Sequence, residues 1–231
     1  MNEVLLEARS MSAGYGAMPV IRDIDIEVRR GEVVALIGAN GAGKTTTLLT
    51  LAGELTPQSG AIRFDGEVTT APMHVRCRRG DLSFVPQERA VIMNMSVADN
   101  LRLAGVAPPD AFGYFPQLEL IMPRSAGLCS GGEQQMLALA AALGRNARVL
   151  LIDELSLGLA PLVVDDLLAT VRRAADEQGV GVVLVEQHVR QALRVADRVH
   201  MMEHGRIALR GTADDMARRL DQIEAGYLSS T

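Results

Sequence analysis

The sequence predicts an α/β fold built on a mostly parallel central sheet, and three observations carry that expectation. Val33–Ile37, Val149–Ile152 and Val182–Val185 are continuous apolar runs without a polar alternate, the pattern of strands covered on both faces. Each run is followed by a stretch with helical character, and strands that alternate with helices belong to parallel sheets. The 231 residues, 48% of them hydrophobic, supply a sizeable core; aromatics are 3% and Trp is absent, so that core is aliphatic.

The elements follow in order. Ile24, Ile26 and Val28 alternate with charged residues and read as a half-buried strand near an edge. After Val33–Ile37 comes a glycine-rich loop, then a helix from Lys44 to about Ala52. The stretch PQSGAIRFDG reads as turn, short strand, turn. The basic run HVRCRRG (His74–Gly80) reads as a solvated face, and Leu82–Val85 as another strand. Ser96 with Asp99 resembles a helix cap. Residues 105 to 127 hold four prolines and little periodicity, so an irregular part of a small helical lobe is expected there. A helix from Ser130 to about Leu143 follows. Pro161–Gln178 is a helix with proline at its favoured first position. Gln191–Ala196 reads helical, Met201–Arg210 as a hairpin turning at His204-Gly205, and Thr212 with Asp215 caps a last helix.

Charge and cysteines narrow the classes of function. A net charge of −5 argues against a nucleic-acid partner, which demands basic surface. Cys77 and Cys129 lie far apart with no CxxC spacing, which is neither a disulfide framework nor a zinc site and suits a reducing compartment. The opening MNEVLLEARS has early acids and no apolar core of a signal peptide. The longest apolar stretch, Val149–Val164, is broken by Asp153 and Glu154, short of the about 18 uninterrupted residues of a spanning helix. A soluble chain is expected, with any membrane role borne by partners.

Three motifs carry chemistry. GANGAGKTT (Gly38–Thr46) fits G-x-x-x-x-G-K-[ST] between a buried strand and a helix. Its glycines, with Asn40 and Ala42, let backbone N–H groups curl around phosphate oxygens. Lys44 is placed to reach the β- and γ-phosphates, and the Thr45 hydroxyl to ligate Mg²⁺. VLLIDE ends a buried strand in two carboxylates, at the sheet edge where ligands bind in such folds. Asp153 suits a Mg²⁺ contact through water, and Glu154 suits a general base. The third motif, SGGEQQ, opens a helix with Ser130 and Glu133 at capping-box spacing. Such a helix start holds anions, so the chain carries two phosphate-binding helix starts about ninety residues apart.

These motifs, in this order and spacing, resemble the ATPase subunit of an ABC transporter over nearly the whole chain. The resemblance implies a single domain over residues 1–231. It implies a P-loop NTPase core, an N-terminal antiparallel β subdomain, and a shortened α-helical subdomain at about 96–143. In this family two ATPase chains associate head to tail, and ATP on the P-loop of one is covered by the signature turn of the other. Ser130, Gly131, Gly132 and Glu133 would then serve a partner's ATP, which accounts for the second helix start. Tyr15 matches the aromatic that stacks on adenine; Gly38, Asn40, Gly41, Ala42, Gly43, Lys44, Thr45 and Thr46 match the phosphate loop. Gln87 matches the glutamine that contacts Mg²⁺.

DELSLGLAP followed by VEQHVRQALRVADR looks most like the shorter ATPase of branched-chain amino-acid importers, with urea or amide importers as neighbours. That implies two membrane-spanning permease subunits, an extracytoplasmic solute-binding protein, no nucleic acid, and a peripheral place on the cytoplasmic face of the membrane. The alternatives are a soluble ABC ATPase of translation or repair, and a partner that binds ATP but scarcely hydrolyses it.

The chain departs from the family pattern at several positions. Gln187 stands where a histidine usually meets the γ-phosphate, with His188 one residue on as a second candidate. Leu155 replaces a proline, Ala160 an aspartate, and Cys129 a larger apolar residue. The segment from about Gly105 to Phe115 is shorter than usual. The run ERAVIMNMSVADN offers Met and Ile either to a membrane-subunit helix or to the core under the lobe.

Overall fold

A computed structural model describes residues 2–88 and 90–219. The central sheet has six strands in the order β10-β9-β3-β8-β7-β6. Its parallel part comprises β3 (Val33–Ile37), β6 (Leu82–Val85), β7 (Val149–Asp153), β8 (Gly181–Glu186) and β9 (Arg198–Glu203), and β10 (Arg206–Thr212) closes it antiparallel to β9. Every residue of β3, β7 and β8 is buried, as their unbroken apolar runs require. A second sheet is antiparallel throughout, in the order β2-β1-β4-β5: β1 (Val4–Ala13), β2 (Ile21–Arg29), β4 (Ser59–Phe64) and β5 (Glu67–Val68). Here β2 alternates buried Ile24, Ile26 and Val28 with exposed or half-buried polar residues, and it is an edge.

Strand alternation sorts the core into two layers. Leu150, Ile152, Val182 and Leu184 face one side, against α3 (Val97–Ala104), α5 (Gly131–Leu143) and α6 (Pro161–Gln178). Val149, Leu151, Val183 and Val185 face the other, with Leu48 and Leu51 of α1 (Lys44–Ala52) and the apolar face of the antiparallel sheet. In α6, Val164, Leu167, Leu168, Val171 and Ala175 are buried at helical spacing, and Gly179 ends it in the left-handed conformation.

The structure corrects two expectations and adds a strand. HVRCRRG is a helix, α2 (Met73–Arg79), and not simply a solvated face. His74, Arg78 and Arg79 are exposed, but Arg76 is buried, donates from Nη1 to the Leu51 carbonyl at 2.5 Å, and lies over the Phe64 ring. One turn of helix puts the run's residues on different faces, which composition cannot report. Residues 105–127 are also less irregular than expected. They contain α4 (Pro108–Tyr114), with proline in its first turn where no N–H is needed, and short 3-10 turns at Pro116–Ile121 and Ala126–Leu128. The added strand is β1, whose apolar pattern is broken by the exposed Arg9 and Ser10.

The hairpin turn falls at His204-Gly205, both with positive φ, 46° and 77°. Here β9 starts earlier than its apolar run, because Arg198 pairs with Val34 of β3. The short helices α7 (Val189–Val195) and α8 (Ala213–Arg218) pack on that side through Val189, Ala192 and Met216. In the run ERAVIMNMSVADN, Ile92 and Met93 are exposed while Val97 is core; Arg89 lies outside the described residues.

Candidate functional site

The glycine loop is shaped by how little room it has. A Cβ on Gly38 would stand 2.5 Å from the Met202 carbonyl oxygen. One on Gly43, whose φ is 102°, would stand 2.7 Å from Ile21 Cγ2. The loop is therefore pressed between β2 and β9, and only glycine fits. Lys44 is buried at the start of α1, and its Nζ donates to the carbonyls of Gly38 and Ala39 at 2.7 and 3.0 Å. Burial lowers its pKa, opposed by Glu154, Asp153 and Glu186. The ammonium thus bends back over the loop that it would share with phosphate oxygens. Thr45 is exposed beside it, and Thr46 is buried.

The carboxylates sit at the end of β7. Asp153 is 3% exposed, and burial raises its pKa, opposed mainly by a hydrogen bond with Thr45. Its Oδ1 has no hydrogen-bond partner among the described residues. A buried carboxylate oxygen without a donor is costly, and a cation next to the Thr45 hydroxyl would satisfy it. Glu154 has a left-handed backbone, φ 53°, a strained state for a residue with a side chain, costing roughly 1–2 kcal/mol. Its N–H donates to the Val185 carbonyl at 3.0 Å. Its carboxylate is gripped from both sides. Gln187 Nε2 donates to Oε1 at 2.6 Å and Gln87 Nε2 to Oε2 at 3.0 Å. Gln187 also donates to Asn40 Oδ1 at 2.7 Å, which ties the carboxylate to the glycine loop. The exposed His188 lies at the start of α7, so it is Gln187 that meets Glu154.

Tyr15 is 61% exposed in the turn between β1 and β2, where Gln58 Nε2 donates to the Gly16 carbonyl at 2.8 Å. Sequence reading missed Glu186 and Ser156. Glu186 is fully buried, accepts from the Leu155 N–H at 3.1 Å and from the Ser156 hydroxyl at 2.6 Å, and burial raises its pKa. The available signal was a carboxylate closing an otherwise apolar strand.

The second helix start is a complete capping box. Ser130 Oγ accepts from the Glu133 N–H at 3.2 Å, and Glu133 Oε2 accepts from the Ser130 N–H at 2.6 Å. Arg124 takes the other Glu133 oxygen at 3.2 Å. Glu133 thus holds the turn in shape. Buried Gln134 reinforces it, donating to the carbonyls of Ala126 and Cys129 at 2.9 and 3.2 Å. Meanwhile α5 belongs to the core layer opposite to that of α1. Within one chain, then, the two helix starts are carried on opposite faces of the central sheet.

A phosphate cradle at the end of β3, with a buried Lys and a carboxylate at the end of β7, defines a P-loop NTPase. The ABC transporter family model matches residues 21–156. The high-affinity branched-chain amino acid transport ATP-binding protein BraG of Pseudomonas aeruginosa is 39% identical over 217 residues, covering 90% of this chain and 93% of that protein. LivF of Archaeoglobus fulgidus, named for branched-chain amino acid transport ATP binding, is 34% identical over 222 residues, 92% and 94% of the two chains. A solved ATP-binding subunit of an ABC transporter superposes with a TM-score of 0.82 at 29% identity, covering 97% and 99%. The chain belongs to the ABC transporter family, as an ATP-hydrolysing, ATP-binding subunit.

Proposed function

We propose that this subunit powers import of branched-chain amino acids, binding ATP between two ATPase chains. The observation that best supports the paired site is the placement of cradle and capped turn on opposite core layers of one chain, and the likeness to BraG and LivF supports the substrate class. A head-to-tail pair would bring the Ser130–Glu133 turn of each chain over the other's Gly38–Thr46 loop. Two helix N-termini would then face one triphosphate, each contributing about 0.3–1 kcal/mol when exposed and more when buried. Tyr15 would offer its ring to the adenine.

The residues present fit a Mg²⁺ ion: the Thr45 hydroxyl, the unpartnered Asp153 Oδ1 and the Gln87 side chain are oxygen donors of the kind that it takes, with phosphate oxygens completing the shell. Bound there, the ion supplies charge to offset that on the phosphates. Lys44, whose ammonium lies over the Gly38 and Ala39 carbonyls, would add a second positive charge to the phosphates. Glu154 takes the proton of the attacking water as the new P–O bond forms and the bond to ADP breaks. Gln187 and Gln87 hold its carboxylate in place, and Gln187, an amide, cannot itself shuttle that proton.

Among the described residues no helix is long and apolar enough to cross a membrane. Two permease subunits would supply the membrane path, a second ATPase chain the other half of each site, and an extracytoplasmic binding protein the solute. The net charge of −5 gives nucleic acid no electrostatic footing. The subunit would sit on the cytoplasmic face.

Glu154→Gln tests the chemistry. Hydrolysis should fall by about 10²–10⁴, with ATP binding retained and an ATP-held dimer accumulating on size exclusion. Hydrolysis at the parental rate would remove Glu154 as the base. Purification from native membranes in mild detergent should bring two multi-spanning subunits, and that complex in vesicles, supplied with the solute-binding protein, should take up leucine. Ribosomal or repair proteins without a membrane subunit would overturn the transport reading.

A further inference from the structure

Glu186 has no part in the reaction described above, yet it is a fully buried carboxylate next to the reacting groups. A buried carboxyl group is costly without hydrogen-bond partners, and both of its partners come from the two residues after Glu154. Oε1 accepts from the Leu155 N–H at 3.1 Å and Oε2 from the Ser156 hydroxyl at 2.6 Å. Its chain neighbours act on the same segment. The Val185 carbonyl accepts from the Glu154 N–H at 3.0 Å, and the Gln187 amide donates to the Glu154 carboxylate at 2.6 Å. Val185, Glu186 and Gln187, spanning the end of β8, thus grip the three residues that follow β7.

The grip has something to resist. Glu154 is left-handed, φ 53°, and a strained backbone persists only where its surroundings over-determine it. Leu155 leaves its own φ free, where a proline would fix it, but unlike proline it has an N–H to give. Glu186 takes that N–H. A rotation at Glu154 or Leu155 that relaxed the strain would break the bond to Oε1 and swing the Glu154 carboxylate out from between Gln87 and Gln187.

We infer that Glu186 is a positioning residue for ATP hydrolysis, bracketing Leu155 and Ser156 so that the Glu154 carboxylate stays aimed at the attacking water. The inference rests on Glu154 being the base. Because Glu186 acts through Glu154, its loss lowers turnover and leaves nucleotide affinity alone.

The experiment compares the parent, Glu186→Ala, Glu186→Gln, Glu154→Gln and the double variant Glu154→Gln/Glu186→Ala. Each is assayed for kcat and KM for MgATP, direct binding of a fluorescent ATP analogue, and Tm. Glu186→Ala should lower kcat by about 10–100-fold, the scale of a small misplacement of a catalytic group, with binding within about threefold of the parent. Glu186→Gln keeps an acceptor for the Leu155 N–H and should recover most of that loss. In the Glu154→Gln background Glu186→Ala should cost nothing further, since residues that act as a unit are not additive. Parental kcat in Glu186→Ala, or a loss that multiplies with that of Glu154→Gln, overturns the inference while leaving the base in place. Parental turnover in Glu154→Gln strikes the base itself, a different failure. Should Glu186→Ala not fold, Ser156→Ala removes one arm of the bracket. It should lower kcat about three- to tenfold with binding kept, and an unchanged kcat there overturns the inference equally.

Discussion

Gly132 stands second in α5, and a Cβ there would lie 2.9 and 3.3 Å from the two methyls of Val163 on α6. Val163 is β-branched and in a helix, so it has little rotamer freedom with which to yield. Gly132→Ala therefore overpacks the α5–α6 contact, at about 1–3 kcal/mol. Better helix propensity returns roughly 0.5 kcal/mol. The net loss, about 0.5–2.5 kcal/mol, lowers Tm by about 1–10 °C at the 2–4 °C per kcal/mol usual for this size. It also tilts the turn that begins at Ser130, so hydrolysis should fall with it. Adding Val163→Ala removes both clashing methyls at roughly 1 kcal/mol of lost packing, and Tm should return to within a few degrees of the parent. Since the added Cβ points at α6 and not outward, ATPase activity should return as well. Differential scanning fluorimetry and a coupled ATPase assay read both quantities. If the double variant regains its Tm while hydrolysis stays low, the glycine is required for something that approaches from outside the chain, and the packing argument is refuted.

Three further outcomes follow from particular contacts. Gly43→Ala should destabilise the chain by about 2–4 kcal/mol and abolish ATP binding, because it combines a φ of 102° with a Cβ 2.7 Å from Ile21; a variant that binds ATP normally in equilibrium titration would contradict the geometry of the cradle. Burial, with Arg198 and Arg210 adding and Glu27 opposing, lowers His200 from 6.5 to about 4. The unfolded chain then binds a proton that the native chain refuses between those pH values, so stability falls as pH drops through that window, by about 3 kcal/mol. Urea denaturation at pH 5 and pH 7.5 should show a smaller difference in His200→Gln than in the parent, and equal slopes would refute the assignment. Asn100→Ala removes the acceptor of the Ile92 N–H at 2.7 Å and donors to the Ile92 and Ser96 carbonyls at 3.1 and 2.9 Å. The cost should be about 1–3 kcal/mol, with faster proteolysis around residues 90–95; unchanged cleavage would show that other contacts hold that loop.

The site was legible wherever its chemistry is local. The glycine loop, the DE pair and the capping box are each confined to a few consecutive residues, and their partners in the motif are fixed by backbone geometry. The fold was legible where strands are buried on both faces, as in β3, β7 and β8. It was not legible in β1, where polar residues interrupt the pattern, nor in α2, where a basic run conceals one core residue, Arg76. Glu186 escaped notice because its partners lie 30 and 31 residues away, across two neighbouring strands.

By itself the sequence determined the two glycine-rich helix starts, the paired carboxylates and the α/β class, since all depend on spacing along the chain. Only the tertiary structure decided which of Gln187 and His188 meets Glu154, and that the two helix starts belong to opposite layers. It also decided that the last residues of β8 hold the strained turn after β7. The physical reason is shared: these are contacts between strands adjacent in the sheet and remote in the chain, set by parallel register and by the alternation of side chains across the sheet.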